Sequence, residues 1–283
     1  MILEETRLMS SLSRRSLLAG AAALPLVSRA AAKPPIGLEL YSVRNELSKD
    51  APATVRQVAK IGYQVVEFYA PYYNWTNEQA TDMRKLMDDL GIRCFSTHNN
   101  FSNFSDPAMG HAIELNHIIG STCVVAASSP KVANLDGWKK TAETLAQGTV
   151  KLKAAGLKAG YHNHATEFTP LEGKRPIEIL AANTPKDFVL QLDVGTCVEM
   201  GSDPVAWIES NPGRIQSLHL KDWAPEGGYQ VLFGEGVVPW KKVLDAAERV
   251  GGVTHYLIEQ EGSRFTPMET AEKCLATYKK IAS

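Results

Sequence analysis

Four segments in the second half of the chain each close an apolar run on an acid or a histidine. They are Tyr161-His162-Asn163-His164-Ala165-Thr166-Glu167, Leu190-Gln191-Leu192-Asp193, Leu218-His219-Leu220-Lys221-Asp222 and Tyr256-Leu257-Ile258-Glu259-Gln260-Glu261. A hard or borderline divalent cation takes carboxylate oxygen and imidazole nitrogen as ligands, so four such chain ends can build one octahedral-type site with open positions. Glu167, Asp193, His219 and Glu259 are the ligand set this suggests, and a metal enzyme is the reading it favours.

The residues around these four sharpen the expectation. Asp193 precedes Val194-Gly195-Thr196, where it would also serve as a helix cap. His219 and Lys221 share one strand parity and face the same side, with Leu220 turned to the other. Glu259 and Glu261 also share a parity, and two carboxylates about one point repel unless a cation or proton lies between them. At the first segment, His162 and Glu167 compete for the fourth ligand place. Spacing does not choose between them; Glu167 is favoured because it keeps the ligand charge high.

These groups need elements to carry them. From Ile36 onward strand-like runs alternate with amphipathic helical stretches, the strands expected over 36–41, 64–69, 92–97, 122–126, 157–163, 187–193, 215–220 and 254–260. Runs such as Thr122-Cys123-Val124-Val125-Ala126 fit parallel strands covered on both faces. Thr76 with Gln79 makes a capping-box pattern before Ala80, Met83, Leu86, Met87 and Leu90 on one face, and Gly91 is placed to end that helix. Asn134 to Gly156, Asp50 to Gly62 and Pro239 to Gly251 repeat the logic. Eight strand–helix pairs in one chain of this length predict a (β/α)8 TIM barrel, α/β in class, whose active site lies at the carboxyl ends of the strands. An open nucleotide-binding sheet is disfavoured, since Ile36 to Tyr41 runs into Ser42-Val43-Arg44 without a glycine-rich phosphate loop.

Residues 1–32 stand apart. Ser13-Arg14-Arg15-Ser16-Leu17-Leu18, a short apolar stretch from Ala19 to Val27 and small residues at Ala30-Ala31-Ala32 read as a twin-arginine signal peptide, so export to the periplasm and one barrel domain over residues 33–283 are expected. The apolar stretch falls short of the roughly 20 residues that span a bilayer. Without this segment, which carries four arginines and two glutamates, the formal net charge moves from −1 to −3, and no basic patch argues for nucleic acid. Cys94, Cys123, Cys197 and Cys274 form no Cys-x-x-Cys pair, and Cys94 and Cys123 lie in apolar runs, so buried thiols are expected rather than disulfides.

Together, Tyr161-His162-Asn163-His164-x-x-Glu167-Phe168, Leu192-Asp193-Val194-Gly195, His219-Leu220-Lys221-Asp222, Gly234-Glu235-Gly236 and Ile258-Glu259-Gln260 resemble the xylose-isomerase-like barrel family, the sugar phosphate isomerases/epimerases. The resemblance implies one divalent metal, often manganese, cobalt or magnesium, held by Glu, Asp, His and Glu on strands five to eight. Asp193, His219 and Glu259 match three places; many members carry a glutamate where this chain has His162. It also implies substrate contacts from Tyr41, Glu67 and His98 on the first three strands, with Glu235 and Glu261 nearby, and aromatic cover from Phe68, Tyr69 and Trp75, although ordinary packing is the commoner role for those three rings.

The implied activity is a metal-dependent sugar isomerase or epimerase working through an enediolate. Glu167 and Glu259 would be ligands that relay protons, with His162, His164 and Lys221 as acid/base candidates. Departure of a β-substituent from the same intermediate would make the chain a 3-keto-glycoside lyase. A non-catalytic periplasmic carbohydrate-binding protein is the rival of another class. The expected partners are a small carbohydrate and the twin-arginine export machinery, with self-association into a homo-oligomer left open.

Overall fold

Eight short strands close into a parallel barrel in chain order: β1 (Ile36–Glu39), β2 (Val65–Phe68), β3 (Arg93–Asn99), β4 (Cys123–Ala126), β5 (Lys158–His162), β6 (Val189–Asp193), β7 (Ser217–Leu220) and β8 (His255–Ile258). The computed structural model describes residues 33–283; the expected export signal lies outside the described residues. Each strand falls within the run expected for it except β3, which continues two residues further and so carries His98 and Asn99 inside the sheet. β1 pairs with β8, Gly37 opposite Leu257, and this closes the ring.

Eight longer helices follow the strands: α1 (Ala51–Ile61), α2 (Asn77–Leu90), α3 (Ala108–Ile119), α4 (Leu135–Ala154), α5 (Pro176–Asn183), α6 (Pro204–Ser210), α7 (Trp240–Ala246) and α8 (Pro267–Ile281). Their ends are those the sequence marks. Thr76 and Gln79 form the reciprocal capping box of α2, and Gly91 ends it at φ 67°, a left-handed conformation that side chains with a Cβ resist. α7 differs from expectation by running into a π turn over Ala247–Gly251, so the reversal falls on Gly252. Among the described residues no helix is long and apolar enough to cross a membrane. All four cysteines are free and buried.

Strand parity divides the interior in two. Leu38, Val66, Val124, Leu190, Leu192, Leu218, Leu220, Tyr256 and Ile258 belong to the main apolar cluster, which fills the layer between sheet and helices. Burial of each such side chain contributes roughly 1.5–3 kcal/mol. Residues of the opposite parity point into the barrel, where a separate, small apolar cluster is formed by Cys123, Val125 and Val189. Above it the barrel is filled with polar groups, among them Glu39, Glu67, Ser96, His98, His162, Gln191, Asp193, Ser217, His219 and His255, all buried. A barrel interior is ordinarily packed with branched apolar side chains. Buried acids and imidazoles in their place are tolerated only when paired, and their pairing defines the site.

Candidate active site

His219 stands at the centre. Its Nε2 lies 2.7 Å from Glu67 Oε2 and its Nδ1 2.6 Å from Glu259 Oε2, so the ring from β7 bridges acids delivered by β2 and by the end of β8. Burial favours the neutral ring, but Glu67 and Glu259 outweigh it and lift the imidazole pKa to about 10. Glu67 responds in the opposite sense: burial raises its pKa, and the neighbouring His98 and His219, with hydrogen bonds from His219 and Ser96, carry it down to about 2. Glu259 is likewise held far below the usual carboxylate range, Lys221 and His219 overcoming its burial.

Gln191 sets the orientation of two further rings. Its amide nitrogen donates to Glu67 Oε1 at 2.9 Å and to Ser217 Oγ at 3.1 Å, which turns its carbonyl oxygen toward His98 Nε2 at 2.7 Å and His162 Nδ1 at 3.1 Å. A carboxylate accepts only, so the amide cannot be reversed without setting two acceptors together. A carbonyl oxygen also accepts only, so each of these ring nitrogens carries its hydrogen. His162 Nε2 and His98 Nδ1 are then the bare lone pairs of the neutral rings. Burial, followed by His219, His98, His164 and Lys221, pushes the His162 pKa well below the ordinary histidine value, and burial lowers that of His98.

Lys221 supplies the second cation. Its Nζ is hydrogen-bonded to Glu261 and lies 3.3 Å from Asp193 Oδ2 and 3.6 Å from Glu259 Oε1, with the Tyr229 ring centroid 4.4 Å away. Burial works against its charge, but Asp193, Glu259 and Glu261 raise its pKa far above the ordinary lysine range. It therefore keeps its proton at neutral pH and acts as a donor.

Asp193 divides its oxygens between the two roles open to it. Oδ1 accepts from Thr196 N at 2.9 Å and caps the short helix Val194–Glu199, whereas the buried Oδ2 receives no hydrogen bond although Lys221 is near. Ligand atoms of His162, Asp193 and Glu259 lie within 4.8 Å of one another, as do those of His98, His162 and His219.

Glu167 is occupied elsewhere. It accepts from the Tyr161 hydroxyl at 2.7 Å and from His164 N at 2.7 Å, so its carboxylate is spent on the start of the turn Ala165–Phe168. No group of candidate ligands includes it, and the structure brings His162 to the cluster in its stead. Glu235 also turns away, gripped by Arg264 at 2.6 and 2.8 Å.

Tyr41, His98, His162, His164, Glu259 and Glu261 do line one cavity, of about 350 Å³, at the carboxyl ends of the strands. Tyr41 meets Tyr69 edge-on with centroids 5.2 Å apart, and both face this cavity. Phe68 and Trp75 pack on each other at 5.0 Å outside it. Glu39, Gln191, Ser96 and His255 were not singled out from sequence. Their inward parity, shared with Tyr41, Asp193, His98 and Glu259 respectively, is the signal that could have found them.

A loop after β7 shapes the rim. Asp222 accepts from Gly234 N (2.8 Å), Gly236 N (3.1 Å) and Trp240 Nε1 (2.8 Å), as well as from Trp223 N (2.9 Å). A Cβ at Gly236 would lie 2.1 Å from Asp222 Oδ1, so the Gly234-Glu235-Gly236 turn owes its second glycine to this close approach.

A family description, xylose isomerase-like TIM barrel, matches residues 55–281. No curated protein matches the chain. A sugar phosphate isomerase/epimerase from Parabacteroides distasonis ATCC 8503 is similar at 28% identity with TM-score 0.76, over 90% of this chain and 96% of that one. A D-psicose 3-epimerase studied with D-fructose is similar at 13% identity and TM-score 0.65, over 87% of this chain and 99% of that one. The IOLI protein with a bound zinc atom is similar at 16% identity and TM-score 0.67, over 88% and 98%. At those two identities the likeness is one of fold.

Proposed function

Because the chain belongs to the xylose isomerase-like TIM barrel family, we propose that it is a sugar isomerase or epimerase that works with one divalent metal ion. The observation that carries the reading is the grouping of His162, Asp193 and Glu259 beside a buried aspartate oxygen that receives no hydrogen bond. Carboxylate and imidazole donors suit manganese, cobalt, magnesium or zinc, and the zinc in the IOLI structure is consistent with that choice. His162, Asp193, His219 and Glu259 would hold the ion, His162 taking the place first assigned to Glu167. Glu67, engaging His219 Nε2, orients the ring, and Nδ1 would become the ligand nitrogen by giving up, as the ion binds, the proton it shares with Glu259.

Such an ion, when bound, supplies electrostatic stabilisation to an enediolate formed from a sugar carbonyl. The chain's own groups move the protons. Neutral His162 would spend its bare Nε2 on the ion, so ionised Glu259, which faces the cavity, is the group suited to accept a proton from carbon. Lys221 is suited to donate a hydrogen bond to a developing oxyanion rather than to act as a base, because three acids retain its proton. His164, exposed at the rim, is placed to exchange protons with solvent. Tyr41 and Tyr69 offer an aromatic wall to a sugar.

We also propose that the enzyme works in the periplasm, on the strength of Ser13-Arg14-Arg15-Ser16-Leu17-Leu18. Unphosphorylated ketoses and keto-glycosides are then the substrates to try first. Metal analysis, chelation and restoration with manganese or cobalt test the metal: activity that survives complete removal refutes it. NMR of incubations in D₂O tests the reaction. Deuterium entering an intact ketose is expected; release of the aglycone from a 3-keto-glycoside would instead identify a lyase, and binding without turnover a carbohydrate-binding protein.

A further inference from the structure

Among the acids that line the cavity, Glu39 is the one whose partnerless oxygen is buried, as far as the described residues go. It ends β1, is 1% exposed and lines the cavity. Its Oε2 accepts from Tyr41 N at 2.7 Å, which fixes the carboxyl plane, and its Oε1 is buried with no hydrogen-bond partner. The other acids differ. Glu67 is engaged on both oxygens, Glu259 by His219 and Glu261 by Lys221. A buried carboxyl oxygen without a partner is costly, and such a group persists where a ligand completes it.

Resting on the reading of the chain as a sugar-converting enzyme, we propose that Glu39 is a substrate-binding residue whose free Oε1 makes a hydrogen bond to an oxygen of the bound sugar. The backbone contact from Tyr41 assigns the atoms, because Oε2 must accept and only Oε1 remains for the ligand. Tyr41, whose backbone makes that contact, also borders the cavity. A sugar held there would meet a polar anchor from β1 and an aromatic face from the residue two further on. Burial first, and then Glu259 and Glu67, favour a proton on the carboxyl, which makes Oε1 a donor and suits it to a carbonyl or ring oxygen.

Glu39→Gln and Glu39→Leu separate the possibilities. In the glutamine variant the amide oxygen accepts from Tyr41 N and the amide NH₂ replaces Oε1, so donation survives; in the leucine variant it does not. Calorimetric titration of the metal-loaded proteins with D-fructose and with a methyl 3-keto-glucoside is expected to show binding by Glu39→Gln within about threefold of wild type. Glu39→Leu should bind about tenfold or more weakly. Metal content by elemental analysis should stay at the wild-type value in both, and both should melt cooperatively, Glu39→Leu somewhat lower for the lost Tyr41 N bond. Leucine-variant binding within twofold of wild type overturns the proposal, as does loss of metal from either variant, which would make Glu39 part of the ion site. Wild-type protein that binds a sugar without converting it refutes the enzymatic reading and leaves the Glu39 comparison intact. Wild-type protein that binds neither sugar refutes both.

Discussion

Replacing Gln191 by leucine removes four interactions from the floor of the site at nearly constant volume. Lost are the donations from Gln191 to Glu67 and Ser217 and those it receives from His98 and His162. Neutral hydrogen bonds contribute about 1 kcal/mol each and one to a charged group about 1.5–3 kcal/mol, so the loss is about 4–6 kcal/mol before relaxation. For a domain of this size that is a fall of about 8–24 °C in melting temperature. The second consequence is chemical: with the carbonyl acceptor gone, nothing at that position requires the hydrogen of His162 to stay on Nδ1. Long-range ¹H–¹⁵N spectra of the imidazoles report the tautomer directly. Gln191→Glu is the companion variant, since it sets a second carboxylate 2.9 Å from Glu67 Oε1. At an effective dielectric constant of about 20 the repulsion is about 6 kcal/mol, enough to force a proton onto one of the pair, and stability should recover on mild acidification. A leucine variant that melts within 2 °C of wild type and keeps the wild-type His162 spectrum would refute the reasoning. Both readings should be taken with and without added metal.

Three further outcomes are expected. Glu167→Gln should leave metal content unchanged while His162→Leu lowers it, as measured by elemental analysis after dialysis; the reverse would restore Glu167 as the ligand. Asp222→Ala strands five donors around the rim loop and Gly236→Ala drives a methyl into the Asp222 carboxylate, so each should cost about 3–5 kcal/mol and expose residues 234–238 to limited proteolysis. His255 is buried with its pKa lowered to about 4, chiefly by burial, whereas the unfolded chain takes up that proton near the ordinary 6.5. Its contribution is therefore full above pH 6.5 and is lost as pH falls toward 4, by about 3 kcal/mol, so the urea-unfolding difference between wild type and His255→Gln should shrink by that amount between pH 7 and pH 4.

The barrel was legible because parallel strands covered on both faces read as apolar runs, and because Thr76, Asp50 and Asn134 mark helix starts by local chemistry that tertiary contacts do not alter. Asp193, His219, Lys221 and Glu259 were legible for a related reason, lying where an apolar run meets its turn. Glu39 and Gln191 were not, since a single polar residue inside a strand looks the same whether it faces helix or barrel. Phe68 and Trp75 take the commoner role of such rings, ordinary packing: the parity of Phe68 places it in the helical layer, where Trp75 joins it. Glu167 was weighted by ligand charge, an argument that ignores local competition. His164 and Glu167 stand three apart, the spacing of a capping box, and the helix end claimed the carboxylate.

Charge balance explains why an imidazole suits the end of β5. Glu39, Glu67, Asp193 and Glu259 are buried around one space, with Glu261 at its edge, and His219 and Lys221 are the cations among them. Another ionised acid on β5 would enlarge the negative excess, whereas neutral His162 adds a lone pair without adding charge. His219 and Lys221 already satisfy much of the field, as the depressed pKa values of Glu67 and Glu259 attest. Asp193 remains raised, burial outweighing Lys221, and its Oδ2 receives no hydrogen bond. A divalent ion beside that oxygen would relieve both conditions. The polar barrel is thus a nearly balanced charge cluster whose remaining deficit lies at Asp193, next to the bare nitrogen that Gln191 fixes on His162.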